Sequence, residues 1–465
     1  MRESGSTLEA WEAARARVDA HDAQVQAVIS WIDSSRADAQ RCDRARQRGE
    51  SLGPLHGLLV GLKDNIDTAG VRTTAGAAFL QHHVPESDAT VVRLLREAGA
   101  VVVAKLNMAE LAWGATTQNR TFGACRNPWD LTRIPGGSSG GSGAALAARY
   151  CDIALGTDTG ASVRVPSAVN GVLGLRPTYG AISNRGIFPV ALTQDTVGPM
   201  ALRADQAARL SDVLRRHDPE DPYSRHAQGA TPSARLGQPI GGLRVGVPED
   251  FFFEGVDRAV GERIEDLLAW LRASLAEIVS VPDFGQAQAF EHWTRIVQCE
   301  SASLHRDRIE SRPDDFSPDV RGRISNGFGV DATELARSYD WRARYRWRLN
   351  QVFEEVDVIV APTVSIDVPM AEGYDSREQT AALGRITYPW ALHVGPTMSL
   401  PVGFHADSGM PVGVALAAPE WCEATLFQLA DAYQAETDWH EQLPPILNQA
   451  VPGEKRPTFS GGPAR

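Results

Sequence analysis

From Ile134 to Pro177 the chain reads IPGGSSGGSGAALAARYCDIALGTDTGASVRVPSAVNGVLGLRP. Two loops of small residues, Gly136–Gly143 and Gly156–Ser162, are separated by a short helical run and an apolar strand-like run. Glycine at this density lets backbone N–H groups approach a ligand closely, at an entropic cost on folding. With hydroxyl side chains on both loops, the pattern predicts a site for an anion or an oxyanion. A phosphate loop needs Gly-Lys-Ser/Thr, and Gly136–Gly143 holds no lysine. A dinucleotide fingerprint needs G-x-G-x-x-G, and Gly141-Ser142-Gly143 does not continue that way. Gly137–Gly141 matches the nucleophile elbow G-x-S-x-G, which any Gly/Ser-rich loop does by chance. That elbow also needs a histidine, and His393 and His405 lie in no recognisable motif.

Lysine usage adds a second constraint. Of 46 basic residues only Lys63, Lys105 and Lys455 are lysines. Arginine stays charged in a protein, whereas a buried lysine can titrate. Codon bias accounts for the arginines equally well, but Leu58–Val60 and Leu62 make the surroundings of Lys63 apolar. Lys455 sits in a polar tail.

These residues resemble the amidase signature family of serine hydrolases, with a Ser–Ser–Lys triad and no histidine. The resemblance is carried by GLLVGLKDNID, NPWD, PGGSSGGSGAA, GTDTGASVRVPSAVNGVLGLRPTYG, TVGPM and VDVIVAPT. It is strong over residues 55–205 and looser over 356–430. It implies Ser162 as nucleophile, Ser138 as the bridging serine on a cis peptide, and Lys63 as base, leaving Lys105 a structural role. It places the oxyanion donors at the N–H groups of Thr159, Gly160, Ala161 and Ser162. Trp113, Ser138 and Gly137 would line the acyl site, with Asp158, Arg164 and Ser139 bracing it. Trp113 is as readily a core residue, and Asp158 and Arg164 as readily a solvated pair. The family usually has glycine at position 161, so the Ala161 methyl is expected to narrow the loop. GTDTGASVR is similar to the arylacetamide-type amidases, which points to an aryl acyl group.

The chemistry asks for these groups. A serine attacks an amide only if its proton is removed, and the amine leaves only if one is supplied. A lysine does both if it starts neutral. Its ordinary pKa of about 10.4 must therefore fall, and burial lowers it.

The implied fold is α/β: a large mixed central β-sheet wrapped by helices, with an inserted helical cap. The expected units are N-terminal helices over 1–50, a signature core over 51–205, the cap over 206–355, a return to the sheet over 356–446 and a disordered tail over 447–465. Leu8, Trp11, Ala14 and Val18 repeat at helical spacing, as do Val25, Val28, Ile29 and Ile32, so two helices are expected over 7–49. Residues 178–199 are expected to contain an irregular loop bordering the site, and Arg342, Arg344, Arg346 and Arg348 to lie mostly on solvated helix faces.

A net charge of −12 argues against a nucleic-acid partner and suits a small-molecule amide substrate. Five scattered cysteines without a C-x-x-C pair argue against structural zinc and against a disulfide framework, so no metal or cofactor is expected. No apolar run approaches the ~18 residues of a membrane span, and the N-terminus has no apolar signal region, which predicts a cytoplasmic protein without a membrane partner. A homodimer is compatible with the family. The expected function is hydrolysis of a carboxamide C–N bond through an acyl-serine. The alternatives are the glutaminase subunit of a tRNA-dependent amidotransferase and a catalytically inactive binding module.

Overall fold

The structure, a computed structural model, describes residues 5–373 and 375–448. Helix α1 (Thr7–Val25) is capped by the Ser6 hydroxyl, which accepts from the Glu9 N–H, and buries Trp11, Ala14 and Val18. The second N-terminal helix starts later than its spacing predicts. Gln26 is left-handed (φ 53°), and the Asp22 carboxylate takes the N–H groups of Ala27 and Val28, which ends α1. The β-branched and aromatic run Val28–Trp31 then forms edge strand β1, and helix α2 is Ser35–Gln47.

Strand β2 (Leu59–Lys63), helix α3 (Thr90–Glu97) and strand β3 (Val101–Leu106) alternate as expected, and β2 runs parallel to β3. The pair β4 (Gln118–Asn119) and β5 (Gly123–Ala124) is a small separate ladder. The long motif resolves into helix α4 (Gly140–Ala147), strand β6 (Ile153–Asp158), helix α5 (Arg164–Asn170) and strand β7 (Leu173–Arg176), all buried. The irregular loop expected within 178–199 runs to Asp195, and Thr196–Ala201 is strand β8, fully buried between β6 and β7.

Helix α6 (Ala204–Leu214) packs on the sheet. The stretch expected as a helical cap is mixed. Its strands β9 (Arg244–Pro248) and β10 (Glu277–Val281), with helix α7 (Arg258–Ala273) between them, extend the central sheet. Helices α8 (Ala289–Ser311), α9 (Pro318–Ser325) and α10 (Ala332–Glu355) follow. Of the four α10 arginines expected in solvent, only Arg344 is exposed. Arg342, Arg346 and Arg348 are partly covered and donate to Thr193 Oγ1, the Leu392 carbonyl and the Phe284 carbonyl. Their long stems pack against the neighbouring elements, which is why the expected solvated face is absent.

Strand β11 (Val358–Pro362), helices α11 (Ser376–Gly384) and α12 (Tyr388–Leu392), strands β12 (Thr397–Phe404) and β13 (Pro411–Ala417) and helix α13 (Glu423–Glu436) complete the chain. The tail expected as disordered falls, from residue 449, outside the described residues.

Eleven strands form one mixed sheet in the order β1-β3-β2-β6-β8-β7-β12-β13-β11-β9-β10. Alternation along β2 sets up the site. Val60 and Leu62 point into the core under α3 and α6, while Leu59 points to the side covered by α1 and α4. Lys63 shares the parity of Leu59, so it emerges on the side where the first glycine loop enters α4. Among the described residues no helix is long and apolar enough to cross a membrane.

Candidate active site

Lys63 is completely buried. Its Nζ donates to Ser138 Oγ at 2.7 Å, Thr157 Oγ1 at 2.8 Å and the Thr157 carbonyl at 3.3 Å. Burial drives its pKa down to about 7, against the opposing pull of Asp158 and Asp195. Lys105 is equally buried but faces elsewhere. Its Nζ donates to the Ile66 carbonyl and to Thr73 Oγ1 at 2.7 Å, and lies 3.8 Å from Asp64 Oδ1. It braces the turn after Lys63.

Ser138 follows a cis peptide, Gly137–Ser138. Gly137 is pressed against Ala115 and Thr116, where a Cβ would lie 2.7 Å from backbone atoms. Ser139 laces the two glycine loops together. Its N–H donates to the Ser162 carbonyl at 3.1 Å, and its hydroxyl lies 3.2 Å from the Thr157 carbonyl.

The second loop, between β6 and α5, turns its carbonyls away from the site. The Thr159 carbonyl accepts from Trp293 Nε1 at 3.1 Å, and that of Gly160 from Arg164 Nη2 at 2.6 Å. The Ala161 carbonyl accepts from the Val165 N–H at 2.8 Å. Among the described residues the N–H groups of Gly160, Ala161 and Ser162 reach no protein acceptor. Three orphaned donors on one turn, beside a serine, make an anion-binding concavity. Ala161 does not have a positive φ, so its methyl fits the turn without strain and packs with Ala115, Ile134 and Val165.

Asp158 and Arg164 are not a solvated pair. Both are fully buried, with Arg164 Nε and Nη2 each 3.0 Å from an Asp158 carboxylate oxygen, and Arg176 Nη1 lies 3.4 Å from Oδ1. Burial alone would raise the Asp158 pKa, but the two guanidinium groups outweigh it and hold it at about 2. Asp158 Oδ2 also accepts the Val163 N–H at 3.1 Å, which ties the pair to the start of α5.

A cavity of about 320 Å³ opens beside Ser162. Trp113, Val190, Trp293, Val297 and Tyr388 give it an apolar, aromatic wall. Trp113 is both core and wall: it is 9% exposed, lines the cavity and donates from Nε1 to Ser301 Oγ at 3.1 Å. Gly137 and Ser138 are not among the lining residues; Gly137 packs against Gly114–Thr116. At the solvent end Arg323 and Arg377, the latter 61% exposed in its side chain, share the single carboxylate of Asp319. Among the described residues no aspartate or glutamate lines this cavity.

Several of these groups were invisible to sequence reasoning. Thr157 sits inside the quoted motif but carries no spacing signal. Asp195 lies in a segment read as loop. It is buried, accepts the Thr159 hydroxyl at 2.5 Å and the N–H groups of Val190 and Ala191, and burial still raises its pKa to about 6. Trp293, Arg323 and Arg377 come from the insert and from α11, far from the motif in sequence. Neither histidine open to the elbow reading lines the cavity. His393 is buried against Phe353, and His405 pairs with Asp257 at 2.9 Å.

A buried lysine hydrogen-bonded to one serine and a second serine on a turn of free N–H groups thus meet over one large mixed sheet. The chain belongs to the amidase family, whose model matches residues 9–427. A glutamyl-tRNA(Gln) amidotransferase subunit from Chloroflexus aggregans is 35% identical over 95% of each chain. A solved structure from a vestigial protein complex, described as revealing the origins of an s-triazine catabolic enzyme, is 33% identical. It superposes with a TM-score of 0.87 over 93% of this chain and 95% of its own. A structure described as an amidase is 31% identical, with a TM-score of 0.81 over 93% and 96%. The curated relatives favour the amidotransferase-subunit reading over a stand-alone amidase, and a name containing tRNA runs against the expectation of no nucleic-acid partner.

Proposed function

We propose that this chain cleaves the C–N bond of a small carboxamide through an acyl-Ser162 intermediate, and that its substrates carry a carboxylate remote from the scissile bond. The observation that carries the reaction is the set of free N–H groups at Gly160, Ala161 and Ser162 beside the Lys63–Ser138 hydrogen bond. Neutral Lys63 takes the Ser138 proton as Ser138 takes that of Ser162, and Ser162 Oγ attacks the carbonyl carbon. The negative charge that develops on the carbonyl oxygen falls on the free N–H groups. Lys63 then returns the proton through Ser138 to the nitrogen, which leaves as ammonia or an amine. Water repeats the sequence on the acyl-enzyme and releases the carboxylate.

The carboxylate preference rests on charge. Two guanidinium groups share one carboxylate at the solvent end, and guanidinium forks bind carboxylates in two-point fashion. The aromatic wall between them and Ser162 suits an aryl or other flat acyl group.

The second reading is the ammonia-releasing subunit of a tRNA-dependent amidotransferase, with glutamine as donor. The relatives favour it. The cavity offers an arginine to the glutamine carboxylate but, among the described residues, no acidic lining residue to its ammonium group. A panel of neutral and carboxylate-bearing amides, arylacetamides, ureas and L-glutamine separates the two, with Ser162→Ala as the blank. The expected result is at least about tenfold higher kcat/KM for carboxylate-bearing amides than for neutral isosteres, lost on Arg323→Met. Selective glutamine turnover by a chain that copurifies with partner subunits would replace the first reading. Absence of labelling by a fluorophosphonate probe would indicate an inactive binding module.

A further inference from the structure

We propose that Trp293, on α8, is a positioning residue that orients the oxyanion donors as well as a wall of the acyl cavity; the proposal rests on the reading of Ser162 as nucleophile. The indole Nε1–H donates to the Thr159 carbonyl at 3.1 Å. That carbonyl belongs to the same planar peptide unit as the Gly160 N–H. The unit is not among the cis peptides, so the two groups point in opposite directions. Holding the carbonyl therefore aims the N–H. Arg164 does the same for the next unit, holding the Gly160 carbonyl and so aiming the Ala161 N–H.

The two holds differ in origin. Arg164 belongs to the motif itself and is locked by Asp158. Trp293 arrives from the insert. Its ring packs on Tyr388 with centroids 4.2 Å apart, and a methyl at Gly160 would overlap the indole. The same helix supports the loop from a second side. Glu300 accepts the Thr193 N–H at 2.9 Å and the Thr193 hydroxyl at 2.5 Å. Two residues on, Asp195 holds the Thr159 hydroxyl. Helix α8 thus fixes Thr159 through its backbone carbonyl and, by way of the 190–195 loop, through its side chain. An acyl group in the cavity rests on the ring that aims a donor, so acyl fit and turnover pass through one side chain.

The test uses the full-length chain in three forms besides wild type: Ser162→Ala, Trp293→Phe, and Trp293 replaced by β-(3-benzothienyl)alanine. The last keeps the bicyclic shape and puts sulfur where the indole N–H was, so it preserves the wall if Trp293→Phe proves unstable. Each is assayed on an acetyl-sized amide, too small to reach the ring, and on a bulky aryl amide. Inactivation by a small fluorophosphonate is followed in parallel. The proposal expects both position-293 variants to lose about tenfold or more in kcat on both amides, with KM for the small amide little changed and inactivation slowed to match. A KM rise confined to the aryl amide, with full kcat on the small one, would make Trp293 a wall only and overturn the proposal. Activity persisting in Ser162→Ala would instead bring down the nucleophile reading, and the proposal with it.

Discussion

At the scale of single residues, Lys63 is the group whose environment says most about its work. Its Nζ has three oxygen neighbours, the Ser138 hydroxyl and the Thr157 hydroxyl and carbonyl, with carboxylates acting on it only from a distance. Burial favours the neutral amine, so at pH values above about 7 it stands ready to accept a proton. We expect kcat/KM for an amide to rise with pH through about 7 in the wild type. Lys63→Ala should depress amide hydrolysis more than hydrolysis of an aryl ester with the same acyl group, because an amine needs proton delivery to leave. Lys63→Arg should rescue neither, since guanidinium stays protonated. Matched amide and ester assays across pH check this; a selective amide loss in Lys105→Ala instead would reassign the base. Lys63 was legible because lysine is scarce here and its neighbours are apolar. Asp195 and Thr157 were not, since a lone carboxylate and a lone hydroxyl announce no partner until the sheet brings them to the Thr159 hydroxyl and the lysine.

At the scale of elements, the Asp158–Arg164–Arg176 cluster ties the end of β6 to the start of α5 and the end of β7. All three side chains are essentially out of water, so removing the carboxylate charge strands two guanidinium groups. Asp158→Asn is expected to cost roughly 3–5 kcal/mol of stability, measured by denaturant unfolding near neutral pH. The sign with pH follows from the depressed pKa. The contribution is present above the ordinary carboxylate range and is lost as pH falls through about 2. The same measurement repeated at lower pH should therefore show the gap between wild type and variant closing. Most long elements could be read from apolar periodicity, among them α3, β11 and α13. Strands β1 and β8, like β10 in the middle stretch, were not legible as strands. Val28–Trp31 also fits helical spacing, and TVGPMA carries a glycine and a proline that read as loop until flanking strands bury it.

At the scale of the whole molecule, the sheet is assembled from both ends of the chain. Strands before residue 205 fill one side as far as β7, and β12, β13 and β11 fill the other, meeting at the antiparallel β7–β12 pair. The 206–355 stretch then adds β9 and β10 at the far edge while sending α8 back over the Gly156–Ser162 loop. Residues 1–205 expressed alone would expose the edge of β7 and the surface of α5 that packs on β12 and β13. Unpaired strand edges template aggregation. We expect that fragment to be insoluble alone and to gain soluble yield when coexpressed with residues 206–465. Comparable solubility in the two cases would show the 1–205 layer to be self-sufficient. The motif foretold the central loops, but nothing in it foretold that a helix entering much later in the chain would close over them.

The scarcity of lysine has a spectroscopic consequence. A chain grown with isotope-labelled lysine carries three labelled side chains in 465 residues, two of them, Lys63 and Lys105, fully enclosed. Both contact a backbone carbonyl and a threonine hydroxyl, but one also meets the Ser138 hydroxyl and the other the Asp64 carboxylate. Burial lowers both, to about 7 and about 8, with opposing carboxylates in each case. Nuclear magnetic resonance would then follow the protonation of the amine bound to Ser138 directly, in the intact molecule and without a substrate present.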